Sequence, residues 1–396
     1  MSTNVFNILT NDTYNEKINT RNNLLRILAE SNNQSLIPTS WERTQSLIRN
    51  NLHTKVFHIG DELVCNKGNT EIVWQVADFD VDTPSDPQFT HSMTLVMKDL
   101  FADNIQFDAR EAAFYFPGGL PAGTYYFTIG AQPWYAGDVN KTFGFTLTEV
   151  APALSQLVFT HAYNTTIEGK TINIYGGSTS TTVLESPTIF VWDNETMTGT
   201  SLGTILRTKT ENINSIDRAI FGNNNYTESA IRQFLTSSNA AGYVWKAQNV
   251  FDRPPSWVNT VDGFMHDIDD NFLNVVGTTI EKTARNTICD NGGYDIIEDK
   301  FRLLSKPQVY GGATVSGVDE GNAYKLFSNY SDLNTPGTGN DSNRIKSKIN
   351  ASPQWYWLRS PYAGLGGDVW YVHPAGQLHN SRAANAGGVA AACTIY

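Results

Sequence analysis

The sequence has little charge for its length. Only 17 % of its 396 residues are Asp, Glu, Lys or Arg, and 39 acidic against 28 basic residues give a net charge of −11. Nucleic-acid binding depends on clustered Lys and Arg side chains that displace counterions from phosphates. The acidic balance and the lack of a basic run therefore argue against a nucleic-acid partner.

Cysteines and long apolar runs are also scarce. Cys65, Cys289 and Cys393 are too few and too widely spaced for a disulfide framework or a CxxC metal pair. No run approaches the roughly 18 apolar residues of a membrane-spanning helix, so we expect no membrane insertion. The first residues lack a basic stretch followed by an apolar one, so we expect synthesis in a cytoplasm without a signal peptide.

Aromatic residues are plentiful at 12 % of the chain, which excludes a disordered protein and supplies apolar surface for folding. Chains longer than about 250–300 residues usually form more than one core, and periodicity divides this one. Helical spacing near 22–30 and 41–49 predicts a helical anchor or oligomerisation segment in 1–54, with ordinary amphipathic packing as the alternative for both helices. Alternating runs near 56–64, 72–79 and 91–97 predict strands in 55–115, followed by a helical segment near 108–113.

The rest of the chain is divided by the same criterion. Residues 116–190 have no helical period and predict a β-rich module. Residues 191–396 combine helix signals near 229–235 and 269–276 with an aromatic, Gly-rich end that predicts two or three short strands. The fold class expected from these patterns is α+β.

The C-terminal stretch carries the most specific pattern. It contains WYWLRSP (355–361), VWYVHPAGQL (369–378) and GGVAAA (387–392), preceded by NYTESAIRQFL (225–235) and FRLLS (301–305). In this order the segments resemble the C-type-lectin-like variable proteins of diversity-generating retroelements, which occur in phages and prophages of gut bacteria. The resemblance covers residues 190–396 well and 55–115 more weakly. Where those proteins continue Gly-Val with Arg-Pro, this chain has Ala390-Ala391.

The resemblance implies a C-type-lectin-like domain in 191–396 with a variable segment at 355–396, and 55–115 as the first strands and helix of that domain. In such retroelements the randomised positions derive mostly from Asn codons, which cannot yield Trp, Lys, Glu, Gln or Met. From Ser360 to Tyr396 only Trp370 and Gln377 fall outside the accessible set. The variable, ligand-binding positions expected from this reasoning are Tyr362, Leu365, Asp368, Tyr371, His373, His379, Asn380, Ser381, Arg382 and Asn385.

The composition of this segment suits recognition, because rigid aromatic rings and short polar side chains are typical of antibody paratopes. We expect Trp355 and Trp357 in the core, and Tyr371, His373 and His379 at the surface. Strict alternation would place Val369 on the same side as Tyr371, which conflicts with a buried Val369 and an exposed Tyr371; a bulge or irregular turn would resolve the conflict.

No motif indicates catalysis or a cofactor. His266 to Asp270 opens a predicted helix, where Asp residues favour capping over metal binding. Asp193-Asn194-Glu195 differs from the calcium motif of lectins, and Ser360 lacks the context of a nucleophile elbow. The Gly-rich segment 364–367 fits no phosphate-binding loop. We therefore expect a binding protein that is not an enzyme, without metal or cofactor.

The expected function is that of a phage virion adhesin that binds a bacterial surface receptor, either a glycan or a protein. The expected partners also include other virion proteins, and the resemblance implies a homotrimer, in which avidity strengthens weak contacts. The alternative is a structural capsid or tail decoration protein that does not bind a receptor.

Overall fold

A computed structural model describes residues 40–112, 114–116, 118–129, 142–161, 164–167, 170–176, 189–192, 200–201, 204–205, 216–287, 289–312, 319–327, 342–363 and 365–396. The expected helix near 22–30 and the segment 193–195 lie outside these residues. Within them, no helix has both the length and the apolarity needed to cross a lipid bilayer.

The helices of the described residues are short. They are α1 (Trp41–Arg49), α2 (Ile216–Phe221), α3 (Ala230–Thr236), α4 (Asp270–Leu273) and α5 (Lys306–Tyr310), with 3-10 turns at His53–Lys55 and Lys325–Phe327.

Strands dominate. The first twelve are β1 (Glu62–Lys67), β2 (Thr70–Phe79), β3 (Thr83–Pro84), β4 (Met93–Met97), β5 (Ala102–Gln106), β6 (Phe114–Phe116), β7 (Gly123–Ile129), β8 (Thr142–Leu147), β9 (Ser155–His161), β10 (Asn164–Ile167), β11 (Lys170–Gly176) and β12 (Ile189–Trp192). The others are β13 (Thr200–Ser201), β14 (Thr204–Ile205), β15 (Val276–Gly277), β16 (Thr279–Ala284), β17 (Tyr294–Asp299), β18 (Phe301–Leu303), β19 (Lys346–Ser347), β20 (Pro353–Gln354), β21 (Tyr356–Pro361), β22 (Asp368–Val372), β23 (Leu378–Arg382), β24 (Ala386–Val389) and β25 (Ala391–Ile395).

The last strand closes the main sheet. Its order is β1-β2-β4-β25-β15, and β18 also pairs with β25. Every residue of β4 and β25 is buried. A strand covered on both faces needs an almost continuous apolar run, which MTLVM and AACTI both supply. Residues distant in sequence are thereby joined, since Ala392 pairs with Val96.

A second sheet repeats this long-range closure. Its order is β23-β22-β21-β24-β5, so the C-terminal strands are completed by β5 from the first third of the chain. Strands from 114–192 form a separate seven-stranded sheet, in the order β12-β7-β8-β11-β10-β9-β6. The smaller sheets are β17-β16-β3, β13-β14 and β19-β20.

The prediction of an α+β protein is confirmed, with strands as the major component. Helix α1 packs as an ordinary amphipathic helix, burying Trp41, Thr44 and Ile48. The ring of Trp41 lies 4.5 Å from that of Phe272, and Gln45 Nε2 donates to the Tyr396 carbonyl over 2.9 Å. The described helix of the expected anchor therefore belongs to the core of the main sheet.

Several local predictions were wrong because tertiary hydrogen bonds competed with local pattern. Residues 108–112 are not helical: Asp108, Glu111 and Ala112 donate their amides to carbonyls of other segments. The strand expected at 56–64 begins only at Glu62, after a turn in which Gly60 has a φ of 89°.

The end of the chain also differs from expectation. The helix expected over 269–276 stops at Leu273, because Val276 and Gly277 pair with β25. The C-terminal stretch contains five strands from Trp355 onward instead of two or three.

Candidate functional site

The hairpin β22–β23 carries most of the expected variable positions. Its register pairs Asp368 with Arg382, Trp370 with Asn380 and Tyr371 with His379. Because directly paired residues of an antiparallel ladder share a face, this register divides the hairpin into two faces.

One face, which we call the ring face, consists of Tyr371, His373, His379 and Ser381. The ring centroids of Tyr371 and His379 are 5.9 Å apart, with planes inclined by 26°, and those of His373 and His379 are 5.0 Å apart. His379 is exposed, whereas the other three side chains are half-buried. The ring face is thus an accessible surface supported from below.

Two tryptophans support the ring face. The Trp355 ring lies 4.8 Å from Tyr371 and 4.7 Å from Trp357, which is fully buried. A Cβ on Gly387 would overlap the Trp355 indole, so β24 needs glycine there to accommodate it. Trp357 lies in the core as expected, while Trp355 is only partly buried and connects that core to the ring face.

Two polar side chains of the ring face, those of His373 and Ser381, accept hydrogen bonds from neighbouring residues. The Ala375 amide donates to His373 Nδ1 over 3.2 Å, so Nε2 carries the hydrogen of the neutral ring. Asn385, in the turn after β23, donates to Ser381 Oγ over 3.0 Å. Burial and the neighbouring His373 lower the pKa of His379, which favours an uncharged imidazole at neutral pH.

The opposite face of the hairpin holds the other positions. The rings of Tyr362 and Trp370 are 4.9 Å apart, and the Arg382 guanidinium lies 4.4 Å from the centre of the Phe221 ring. Asn380 Nδ2 donates to Asp368 Oδ2 over 2.6 Å. The ten expected residues therefore do not form one continuous surface.

Asp368 is a correction to the expected binding positions. Its side chain is only 4 % exposed and is directed away from the surface, where Asn380 contacts it. Burial raises the pKa of this carboxyl group. Tyr362 and Leu365 are half-buried in the loop that precedes β22, so both can contribute side-chain area to a ligand.

That loop is held by side chains from outside the C-terminal segment, which sequence reasoning missed. Asn286 Nδ2 donates to the carbonyls of Tyr362 and Leu365, each over 2.8 Å, and Asn224 Nδ2 donates to those of Leu365 and Asp368. Asp217 Oδ2 accepts from the Gly366 amide, and burial raises the pKa of Asp217 to about 6. Asn224 directly precedes the segment 225–235 on which the resemblance rests, and this proximity was the sequence signal that pointed to Asn224.

The pairing of β21 with β22, the first strand of the hairpin, contains an irregularity. The ladder pairs Trp357 with Tyr371 but Pro361 with Val369, so β21 has extra residues between these pairs. Val369 pairs with Ser381 and so faces the same side as Tyr371, yet Val369 is buried while Tyr371 is half-exposed. The irregularity of the ladder lies in the partner strand β21.

A buried charged cluster, which we call the Glu281 network, includes a residue of β21, the strand that pairs with β22. Glu281 of β16 pairs with Arg302 of β18 and Arg359 of β21, and all three side chains are at most 5 % exposed. Arg302 also contacts Asp82 over 2.8 Å, and Arg359 donates to Gln308 over 2.7 Å. The network ties three strands together from inside.

Ser360 belongs to the same framework. Its hydroxyl donates to Glu320 Oε2 over 2.7 Å and accepts from the Lys306 amide over 2.9 Å. Fully buried and engaged in this way, Ser360 fixes α5 against β21. Its contacts are those of a structural group.

The His266–Asp270 segment caps a helix, as expected. Asp269 is the N-cap of α4 and accepts from the Asn271 amide over 3.1 Å. Over the described ranges, no group of three or more His, Cys, Asp or Glu side chains is arranged to hold a metal ion.

Comparison with known proteins gives one match. Residues 201–396, just under half of the chain, match a family described as a domain of unknown function (DUF6273). No curated protein and no solved structure matches the chain. The match includes the whole hairpin and the side chains that hold its loop, so the region with the candidate site is the region shared with that family.

Proposed function

We propose that this chain is a receptor-binding protein of a phage virion, in which the ring face of a C-type-lectin-like domain binds a bacterial surface receptor. The observation that carries the proposal is the ring face itself. Tyr371, His373 and His379 present neighbouring rings at the surface, on top of the Trp355–Trp357 pair. Preorganised rings contribute contact area at low conformational cost.

The closure of the fold supports the lectin-like part of the proposal. The strands β24 and β25 pair with β5 and β4, so the C-terminal strands are joined to strands from the first third of the chain. This pairing anchors the hairpin at its base. Substitutions on the exposed face of the hairpin therefore disturb few buried contacts. This arrangement suits a surface that varies between copies of a gene.

The proposed diversification has its own genetic test. A reverse transcriptase gene beside this one, with a near-identical template repeat covering residues 355–396, would support it. We further propose a homotrimer, because avidity multiplies the weak contacts of a small surface; sedimentation equilibrium measures this directly.

The binding test compares three forms of the full chain on a panel of gut bacterial cells by flow cytometry. The first is unsubstituted, and the second carries Tyr371→Ala, His373→Ala and His379→Ala. The third is a matched control with Tyr243→Ala, His58→Ala and His266→Ala, which removes one Tyr and two His elsewhere on the described surface.

We expect the unsubstituted and control forms to bind at least one strain, and the ring-face variant to lose at least tenfold in apparent affinity. Equal binding by the ring-face variant would contradict the choice of site. Incorporation into virions without binding to any cell would favour a structural decoration protein instead.

A further inference from the structure

The ring face contains no Asp, Glu, Lys or Arg side chain, although the hairpin carries both signs of charge elsewhere. Asp368 and Arg382 are the charged residues of β22 and β23, and they form a register pair on the opposite face. Burial and the neighbouring His373 lower the pKa of His379, which keeps its exposed imidazole uncharged at neutral pH. A carboxylate or phosphate that leaves water needs a cationic partner. The ring face therefore suits an uncharged ligand.

The same face presents neutral groups that donate and accept hydrogen bonds. Tyr371 and Ser381 carry hydroxyl groups, and His373 offers its Nε2–H. Among the contacts of the described residues, no hydrogen bond engages the Tyr371 hydroxyl or a ring nitrogen of His379. A neutral imidazole supplies one N–H donor and one acceptor nitrogen, and a hydroxyl both donates and accepts. This is the inventory that a ligand rich in hydroxyl groups requires.

The rings supply the apolar part of the contact. Tyr371 and His379 lie on neighbouring strands with ring centroids 5.9 Å apart and planes inclined by only 26°. The Trp355 ring, 4.8 Å from that of Tyr371, supports it from the side of the core. The face of an aromatic ring is electron-rich, so it attracts the weakly positive C–H groups of a sugar ring. Rings fixed in this way can stack against a sugar without a large loss of conformational freedom.

From these observations we infer that the ring face binds a neutral sugar of the bacterial surface, a hexose unit without carboxylate, phosphate or sulfate groups. The inference rests on the proposed function and names the chemistry of its receptor. The sugar stacks on the exposed His379 ring beside Tyr371, and its hydroxyl groups bond with those of the ring face. A folded protein would instead contact about 20–30 residues on each side, of which this face supplies four.

The probe is surface polysaccharide extracted from a strain that the unsubstituted chain binds, digested with proteinase K and separated by anion exchange into neutral and acidic fractions. Each fraction is added as a competitor while the full chain binds the same cells in flow cytometry. We expect the neutral fraction to reduce binding at least tenfold and the acidic fraction to have no effect. Oxidation of the neutral fraction with periodate, which cleaves vicinal diols, should remove the competition.

Two substitutions of Tyr371 separate stacking from apolar bulk. Tyr371→Phe retains the aromatic ring, whereas Tyr371→Leu retains an apolar side chain without a ring. We expect the neutral fraction to bind Tyr371→Phe at least tenfold more tightly than Tyr371→Leu, as measured by biolayer interferometry on the full chain. His379→Leu should show the same loss relative to the unsubstituted chain. Because His379 is exposed, this variant keeps its fold even if Tyr371→Leu disturbs Trp355.

Three results would overturn the inference. They are competition by the acidic fraction alone, loss of binding to cells treated with proteinase K when neither fraction competes, and an unchanged affinity of the neutral fraction for both Tyr371→Leu and His379→Leu. The second result, together with lost cell binding in the ring-face variant, would overturn only the sugar and leave the proposed function intact. Competition that acts equally on the ring-face variant would contradict the choice of site and with it the proposed function.

Discussion

The Glu281 network joins strands of three sheets, whereas the ring face lies on one of them, and the two regions hold their polar groups in opposite ways. In the network, Glu281, Arg302 and Arg359 are buried and paired, so each depends on the others. On the ring face, His379 is exposed, and Tyr371, His373 and Ser381 are half-buried. The comparison shows a rigid interior that can hold a surface whose own residues contribute little to folding.

The largest effect should come from breaking the Glu281 network. Glu281→Gln leaves the Arg302 and Arg359 guanidinium groups buried beside a neutral amide, which should lower the free energy of unfolding by about 3–5 kcal/mol. Urea denaturation measures the change. Glu62→Gln, which breaks an ion pair between half-exposed side chains, should cost less than about 1 kcal/mol. A similar small loss for both would contradict the role of the network.

A smaller effect should follow from Gly387→Ala at the base of the ring face. The new Cβ would overlap the Trp355 indole, so we expect a loss of about 1–3 kcal/mol. Near-ultraviolet circular dichroism should change as Trp355 moves. Gly118→Ala meets no atom within 4 Å and serves as the control, and equal stability of the two variants would show that Trp355 is not held by this contact.

The framework should also determine how stability depends on pH, through His53. Burial lowers the pKa of His53 below the ordinary histidine value of about 6.5, against an opposing effect of Asp80. The unfolded chain then takes up a proton near pH 6.5 while the folded chain does not. Stability should therefore fall as the pH drops below about 6.5, by up to about 1.4 kcal/mol per pH unit from this group.

Denaturation of the unsubstituted chain and of His53→Gln between pH 8 and 5 isolates this contribution. The stability of His53→Gln relative to the unsubstituted chain should rise as the pH falls. His58→Gln, at an exposed histidine, should show no such relative rise. A constant difference between His53→Gln and the unsubstituted chain would contradict the assignment.

The smallest effects should occur on the ring face. His379→Ala and Ser381→Ala remove exposed or half-buried side chains, and each should change the free energy of unfolding by no more than about 0.5 kcal/mol. Thermal melts in parallel with the Glu281→Gln variant give the comparison. A loss above about 2 kcal/mol would make the ring face part of the folding core and would contradict its independence.

Sequence periodicity found strands such as β2 and β7, and the helix α3 with its N-cap Ser229. It failed where distant backbone groups determine the structure, as at 108–112 and 276–277. The residues of the candidate site divide in the same way, into those predictable from local sequence and those that depend on distant contacts. Tyr371, His373 and His379 could be placed by residue type, but burial of Asp368 and the loop contacts of Asn224 and Asn286 depend on tertiary packing.

The central claim is that the ring face can vary while the framework beneath it cannot. Deep sequencing of residues 355–396 across a natural population of this gene tests it most directly. Substitutions should concentrate at Tyr371, His373, His379, Ser381 and the neighbouring exposed positions, and should spare Trp357, Arg359 and Ser360. An invariant segment, or variation spread equally over exposed and buried positions, would contradict the claim.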